Sequence, residues 1–316
     1  MKSSIKKIIL GAGAAAGLVA ASGETIAFLL SHRKANLDFI FKDDEKELSE
    51  FESALRDHRK ADREWITSMN PKEYRIVSDD GLMLSGYLLS ADAPTDQYVL
   101  CVHGYRMTGI TEYDSIIRFY HDMGVNVFYI DQRACGNSEG EYITYGGLEQ
   151  FDVLKWIDFM TNEFGKDIKI SLHGISLGSA TTMLVLGHEL PENVKFAVCD
   201  CGYASVKSQL LHNFAQNKMP PTLSYNLYRL TSKYRIGVDP DKTSPVEAME
   251  NCHIPVIFAH GEADTFVPFE MVYAVYDACG SEDKKLITVP GAEHARAFFI
   301  NNDIKNAIRE YYKKYM

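Results

Sequence analysis

The spacing of apolar and polar positions changes character three times along the chain. Residues 8–30 form one long apolar or small-residue stretch, broken by Ser22, Glu24 and Thr25 and flanked by Lys2, Lys6, Lys7 on one side and His32, Arg33, Lys34 on the other. Next comes a charge-rich stretch in which Leu37, Phe41, Leu48, Phe51, Leu55, Trp65 and Ile66 recur at roughly helical spacing. It predicts one or two surface helices over residues 35–70, with a solvated linker as the alternative for the first half. From residue 71 onward, short apolar runs alternate with helical patterns. Tyr74–Val77 and Leu82–Leu89 flank Ser78-Asp79-Asp80-Gly81, a hairpin with an Asp-Gly turn.

Six strand-like runs follow: Tyr98–Val102, Val125–Ile130, Ile168–Leu172, Val194–Cys199, Ile254–Ala259 and Lys285–Val289. Helical patterns separate most of them, at Glu112–Met123, Leu148–Phe164, Leu177–His188 and Pro268–Cys279, and a last one closes the chain at Ala295–Tyr312. This rhythm predicts an α/β domain over residues 71–316: a mostly parallel sheet with an antiparallel edge hairpin and helices on both faces. The alternation lapses between Cys199 and Ile254, where a helical segment rich in Leu, Tyr, Phe and Met predicts a small lid over about 203–250. An elaborated crossover is the plainer alternative.

The 8–30 stretch is long enough for a bilayer, which needs ~20 residues. Three readings compete for residues 1–34. A single membrane anchor is preferred. A cleavable signal segment is second, since Ala20-Ala21-Ser22-Gly23 offers small residues, and a soluble or buried helix is third. Glu24 and the Ala/Gly content weigh against the anchor. Localisation is therefore expected at the cell membrane, with secreted or cytoplasmic as the alternatives. Net charge −10 and the lack of a basic run after residue 75 argue against a nucleic-acid partner. Of the six cysteines, only Cys199 and Cys201 are close in sequence, and none has zinc-ligand spacing. They read as buried thiols.

In open parallel sheets, ligands sit at the C-terminal ends of the strands. The third run ends in Gly174-Ile175-Ser176-Leu177-Gly178, followed by a helix-forming run. Strand, tight turn and helix would lift the Ser176 hydroxyl above the sheet at a helix N-terminus. A plain strand-to-helix loop is the alternative for this stretch taken alone. The other strand ends carry His103-Gly104-Tyr105-Arg106, Asp131–Gly140, His260–Pro268 and Pro290–His294.

Together the His-Gly-Tyr, Gly-Ile-Ser-Leu-Gly, Gly-Glu-Ala-Asp-Thr-Phe-Val-Pro and Gly-Ala-Glu-His stretches, in this order, resemble an α/β-hydrolase over about residues 72–314. In detail the chain is similar to the bacterial esterase and serine-aminopeptidase-like branch, which includes hydrolases with an N-terminal anchor. The resemblance implies Ser176 as nucleophile, His294 as general base and Asp264 as the acid that orients it. Asp200, after the next strand, is the rival acid. It also implies oxyanion donors at the backbone N–H groups of Leu177 and Tyr105. The second is less firmly carried over, because His-Gly-Tyr replaces the His-Gly-Gly-Gly of many lipases. His103 and His173 are expected to be structural, as is the Asp131–Gly140 loop. The expected partner is a small-molecule ester or amide, with an ester preferred over a peptide bond and a silent binding protein least favoured. No metal, nucleotide or other cofactor is implied.

Overall fold

A computed structural model describes residues 21–35 and 49–316. The first described residues, 21–31, are helical and are named α1 here. Helix α2 (Glu50–Ser68) begins with a reciprocal capping box, Ser49 taking the Glu52 N–H and the Glu52 carboxylate taking the Ser49 N–H. Then come β1 (Lys72–Val77), β2 (Met83–Leu89), β3 (Gln97–Val102), α3 (Gly109–Asp122), β4 (Asn126–Ile130), α4 (Glu149–Phe164), β5 (Lys169–Ile175) and α5 (Leu177–Leu186). The chain continues with β6 (Val194–Asp200), α6 (Val206–Gln216), α7 (Pro221–Thr231), a π-helical turn (Ser232–Ile236), a 3-10 turn (Pro240–Lys242) and α8 (Pro245–Met249). It ends with β7 (Val256–Gly261), α9 (Met271–Ala278), β8 (Lys284–Val289), α10 (Ala297–Ile300) and α11 (Asp303–Tyr315).

The eight strands form one sheet in the order β1-β2-β4-β3-β5-β6-β7-β8. The first two are antiparallel to their neighbours, and every later pairing is parallel. This is the mostly parallel sheet with an antiparallel edge expected from the strand–helix rhythm, and the α/β-hydrolase fold that the resemblance implies. The interior strands are buried on both faces, so their alternation sorts residues between two cores. On β3, Leu100 and Val102 pack with α4 residues such as Trp156, while Val99 and Cys101 pack with Tyr113 and Tyr120 of α3. On β5, Leu172 enters the first core, while Ser171 and His173 turn to the second, where they bond Tyr312 and Tyr120. All six cysteines are buried and unbridged.

Two expectations need correction. The final helix is broken: Asn301 is extended and its side chain accepts the Asp303 N–H, a local turn that restarts the helix as α11. The strand before Ser176 runs on to Ile175, so the turn follows it without a loop. Helix α2 lies within the stretch expected to carry one or two helices, and it is tied to α3: Arg59 and Arg63 both donate to the fully buried Asp114 carboxylate, at 2.8 and 3.1 Å.

The segment expected to anchor the chain is described only from residue 21 on. Its residues 8–20 lie outside the described residues, but residues 21–30 belong to α1, which docks on the domain. Ala27 is 2% exposed and Ser31 fully buried. No helix among the described residues is long and apolar enough to cross a membrane.

Candidate active site

Ser176 stands at the end of β5, near the middle of the sheet, at the first step of the turn into α5. Its backbone adopts φ 56° and ψ −118°, a region that costs a non-glycine residue roughly 1–3 kcal/mol. The neighbouring glycines permit this tight geometry. A Cβ on Gly174 would fall 2.3 Å from the Gly178 carbonyl oxygen, and one on Gly178 would fall 1.8 Å from the Val102 oxygen. Helix α5 therefore packs directly on the end of β3. The Ser176 N–H is fixed by the Asp200 carbonyl at 2.9 Å.

The Ser176 hydroxyl lies 2.9 Å from Nε2 of His294. Nδ1 of His294 lies 2.7 Å from Oδ2 of Asp264. These two loops follow β8 and β7, so three side chains from three strand ends meet in one line. Phe266 lies against the His294 ring, with centroids 4.9 Å apart. The Asp264 carboxylate is more heavily bonded than sequence suggested. Its Oδ1 accepts the N–H groups of Phe266 and Val267, both at 2.9 Å, and its Oδ2 also accepts from Nε2 of the buried His260 at 3.1 Å. Burial opposes the charge, but the hydrogen bonds from His260 and His294 outweigh it and hold this carboxyl down at about 2.

Asp200, the rival acid, is buried at the end of β6 and bonds Ser176 through its backbone alone. Its Oδ1 has no hydrogen-bond partner among the described residues. Burial pushes its carboxyl up to about 7, partly opposed by His260 and His294. A carboxyl that resists ionisation is poorly suited to hold an imidazolium, which leaves that position to Asp264.

The N–H groups of Leu177 and Tyr105 have no protein acceptor in the described structure. Leu177 opens α5, where the first N–H groups lack intrahelical partners. Gly104, before Tyr105, donates instead to Glu112 at 3.3 Å, and a Cβ on Gly104 would lie 3.3 Å from that of Ser176. The loop through Gly104 thus passes directly beside the serine. Glu112 was not foreseen; burial raises its carboxyl above the ordinary range.

The remaining candidates are structural. His103 donates from Nδ1 to the Gly104 carbonyl and accepts the Gln132 N–H at Nε2, at 2.7 and 2.9 Å, which fixes a neutral ring tying β3 to β4. His173 is buried against Tyr120 and pushed down to about 3 by burial. In the Asp131–Gly140 loop, Asp131 accepts the N–H groups of Gly109 and Asn137. Arg133 forks onto the buried Asp152 at 2.6 and 2.7 Å, turned away from the serine. Cys201, Asp264 and His294 bring their ligand atoms within 4.8 Å of one another. The Asp264 oxygens are already committed to four donors and burial pushes the Cys201 thiol up, so this cluster makes a poor metal site.

A cavity of about 580 Å³ opens beside Ser176. Its walls come from Tyr105, Tyr145, Tyr203, from Phe214 and Met219 of α6 and its following turn, and from Leu29 and Leu30 of α1. Among the described residues, no Asp, Glu, Lys or Arg lines it. The α6 wall comes from Val206–Gln216, inside the stretch read from sequence as a lid. The α1 wall was missed, because residues 29–30 read as the end of an apolar leader.

Comparison with known proteins agrees with this picture. Residues 93–246 match the family described as "Serine aminopeptidase, S33". The uncharacterized protein YqkD of Bacillus subtilis is 25% identical over 300 residues, covering 94% of this chain and 93% of that protein. The uncharacterized protein YfhR of Escherichia coli strain K12 is 26% identical over 231 residues, covering 71% and 73%. Among solved structures, an esterase of Pyrococcus furiosus superposes with a TM-score of 0.66 at 22% identity, covering 79% of this chain and 92% of its own, a likeness of fold. The fold and the family match support a hydrolase of the α/β-hydrolase type.

Proposed function

We propose that this hydrolase of the α/β-hydrolase type cleaves carboxylic esters through an acyl-enzyme intermediate, with Ser176 as nucleophile. The observation that carries the reading is the line of hydrogen bonds from Asp264 through His294 to Ser176, ending at an uncharged, largely apolar cavity. Ser176 Oγ attacks the ester carbonyl carbon as its proton passes to Nε2 of His294. Asp264 stabilises the imidazolium and fixes the tautomer that presents Nε2 as acceptor. The oxyanion is taken up by the N–H groups of Leu177 and Tyr105, each such donor being worth ~2.7–4 kcal/mol. Collapse expels the alcohol, which receives the proton from His294. Water, deprotonated by the same imidazole, then releases the carboxylic acid and restores the serine.

The matched family's description favours a second reading, removal of an amino-terminal residue from a peptide. That substrate carries an ammonium group, which calls for a carboxylate in the pocket. The described lining offers none, which favours a neutral ester. A fluorophosphonate probe tests the nucleophile: wild type should label and Ser176→Ala should not, and equal labelling of the two sinks the assignment. A series of p-nitrophenyl esters beside aminoacyl-anilides then tests the substrate class. Anilide cleavage with no ester turnover would overturn the esterase reading.

A further inference from the structure

Helix α1 is held in place by groups that belong to the active-site surroundings. A helix leaves its last carbonyls without intrahelical partners. Here the Leu30 carbonyl accepts the hydroxyls of Tyr105 and Tyr145, at 2.5 and 3.0 Å. Arg106 donates to the carbonyls of Leu29, His32 and Ala35 at 2.9–3.1 Å. Tyr105 and Arg106 are the two residues that follow Gly104 in the loop over Ser176, and Arg106 sits at φ 59°. The Tyr105 and Tyr145 rings stack at 5.6 Å, so the two hydroxyls reach α1 side by side.

The seat along the helix is equally close. Gly23, Ala27 and Ser31 recur every four residues and form one face. A Cβ on Gly23 would lie 2.6 Å from Thr231 Oγ1 and 3.1 Å from the Leu227 carbonyl oxygen, both on α7. Ser31 Oγ meets the Tyr228 hydroxyl at 3.1 Å. Beyond the helix, Arg33 donates to the carbonyls of Gly136, Ser138 and Gly140. With its C-terminal end and one face held, α1 presents Leu29 and Leu30 to the cavity that contains Ser176.

We propose that α1 is a specificity wall of the active site, its Leu29–Leu30 pair setting the length of acyl chain that the cavity accepts. The inference rests on Ser176 being the acylated nucleophile, and it gives the N-terminal segment a role in substrate selection. The Leu29 and Leu30 side chains bound the room open to a long acyl chain and leave a short one untouched. Enlarging one of them blocks the long chain, and trimming one admits more of it.

The test uses the full chain and two alkyl fluorophosphonates, one ethyl and one hexadecyl, which report on serine acylation whether the natural bond is ester or amide. The readout is the ratio of the two second-order labelling constants. Leu30→Trp should lower the long-to-short ratio about tenfold, equivalent to the contact of roughly two buried methylenes. Leu29→Ala should raise the ratio, and it carries the test if the tryptophan variant fails to fold. Phe28→Ala, on the same helix but outside the cavity lining, should leave it unchanged. Ratios within twofold of wild type for both leucine variants, in protein that labels and melts normally, overturn the proposal and leave the nucleophile assignment standing. Wild type that does not label at all overturns the nucleophile assignment, and the wall with it.

Discussion

Substituting Gly178 by alanine tests whether the closeness of α5 to β3 is what organises this site. The added Cβ would sit 1.8 Å from the Val102 oxygen, 2.5 Å from the Val102 carbon and 2.6 Å from the His103 oxygen, where real Cβ contacts below 3.0 Å are essentially never seen. All three atoms are backbone, so no side-chain rotation can relieve the clash. Helix α5 must withdraw from the end of β3 by more than an ångström. Overpacking of this kind costs about 1–3 kcal/mol in stability. The larger effect falls on catalysis, because Leu177 opens α5 and the loop through His103 and Tyr105 leaves the end of β3. A ~1 Å error in such a constellation can cost about 10²-fold in rate. The assay compares fluorophosphonate labelling and p-nitrophenyl acetate turnover with chemical denaturation on the same preparations. Gly124→Ala is the control: at φ 80° with nothing within 4 Å of the new Cβ, it adds only backbone strain of ~1–2 kcal/mol and should leave turnover intact. If Gly178→Ala keeps turnover within a factor of two of wild type, close packing at this point is not what positions the oxyanion donors.

Three further outcomes follow from the buried charges. Asp200 has a folded pKa of about 7, above its unfolded value near 3.8, so its contribution to stability is lost as pH rises through that window. Asp200→Asn should therefore gain on wild type by up to ~4 kcal/mol between pH 4 and pH 8, read from urea midpoints; parallel pH profiles would contradict the assigned burial. Asp264 has the opposite sign: held near 2, it contributes stability above pH 4 that disappears as pH falls toward 2. Asp264→Asn should lose about 2 kcal/mol at pH 7 and about 10⁴ in kcat, and a rate drop under tenfold would point to another acid. Arg133→Met strands the buried Asp152, whose carboxyl burial already pushes up to about 6, and should cost about 3–5 kcal/mol. Adding Asp152→Leu should recover most of that loss, and no recovery would mean that Arg133 acts mainly through Asp80.

Much of the fold could be read in the chain because its signals are local. The Asp-Gly turn, the short apolar runs and the capped helices are each specified within a dozen residues, so strands and helices fell close to their expected bounds. The break between α10 and α11 escaped because Asn301 acts through a single side-chain bond to Asp303, too short a signal to interrupt an apolar periodicity. Ser176 and His294 could be named because parallel strands deliver their following loops to one edge and the resemblance to α/β-hydrolases says which loop carries which residue; it preferred Asp264 but left Asp200 as a rival.

What the sequence could not decide is anything that rests on distance between remote segments. Whether Asp200 or Asp264 would face His294 depended on which carboxyl is desolvated and which is wrapped by donors, a property of three-dimensional packing. His260 and Glu112 joined the site only through contacts made across the sheet ends. Residues 21–30 show the division most clearly. By composition they continue an apolar leader, and hydropathy alone cannot tell lipid from a protein surface as the medium that receives it. Only the folded domain supplies the tyrosine and arginine donors that take up the carbonyls of α1, and so turns the end of that leader into a wall of the cavity around Ser176.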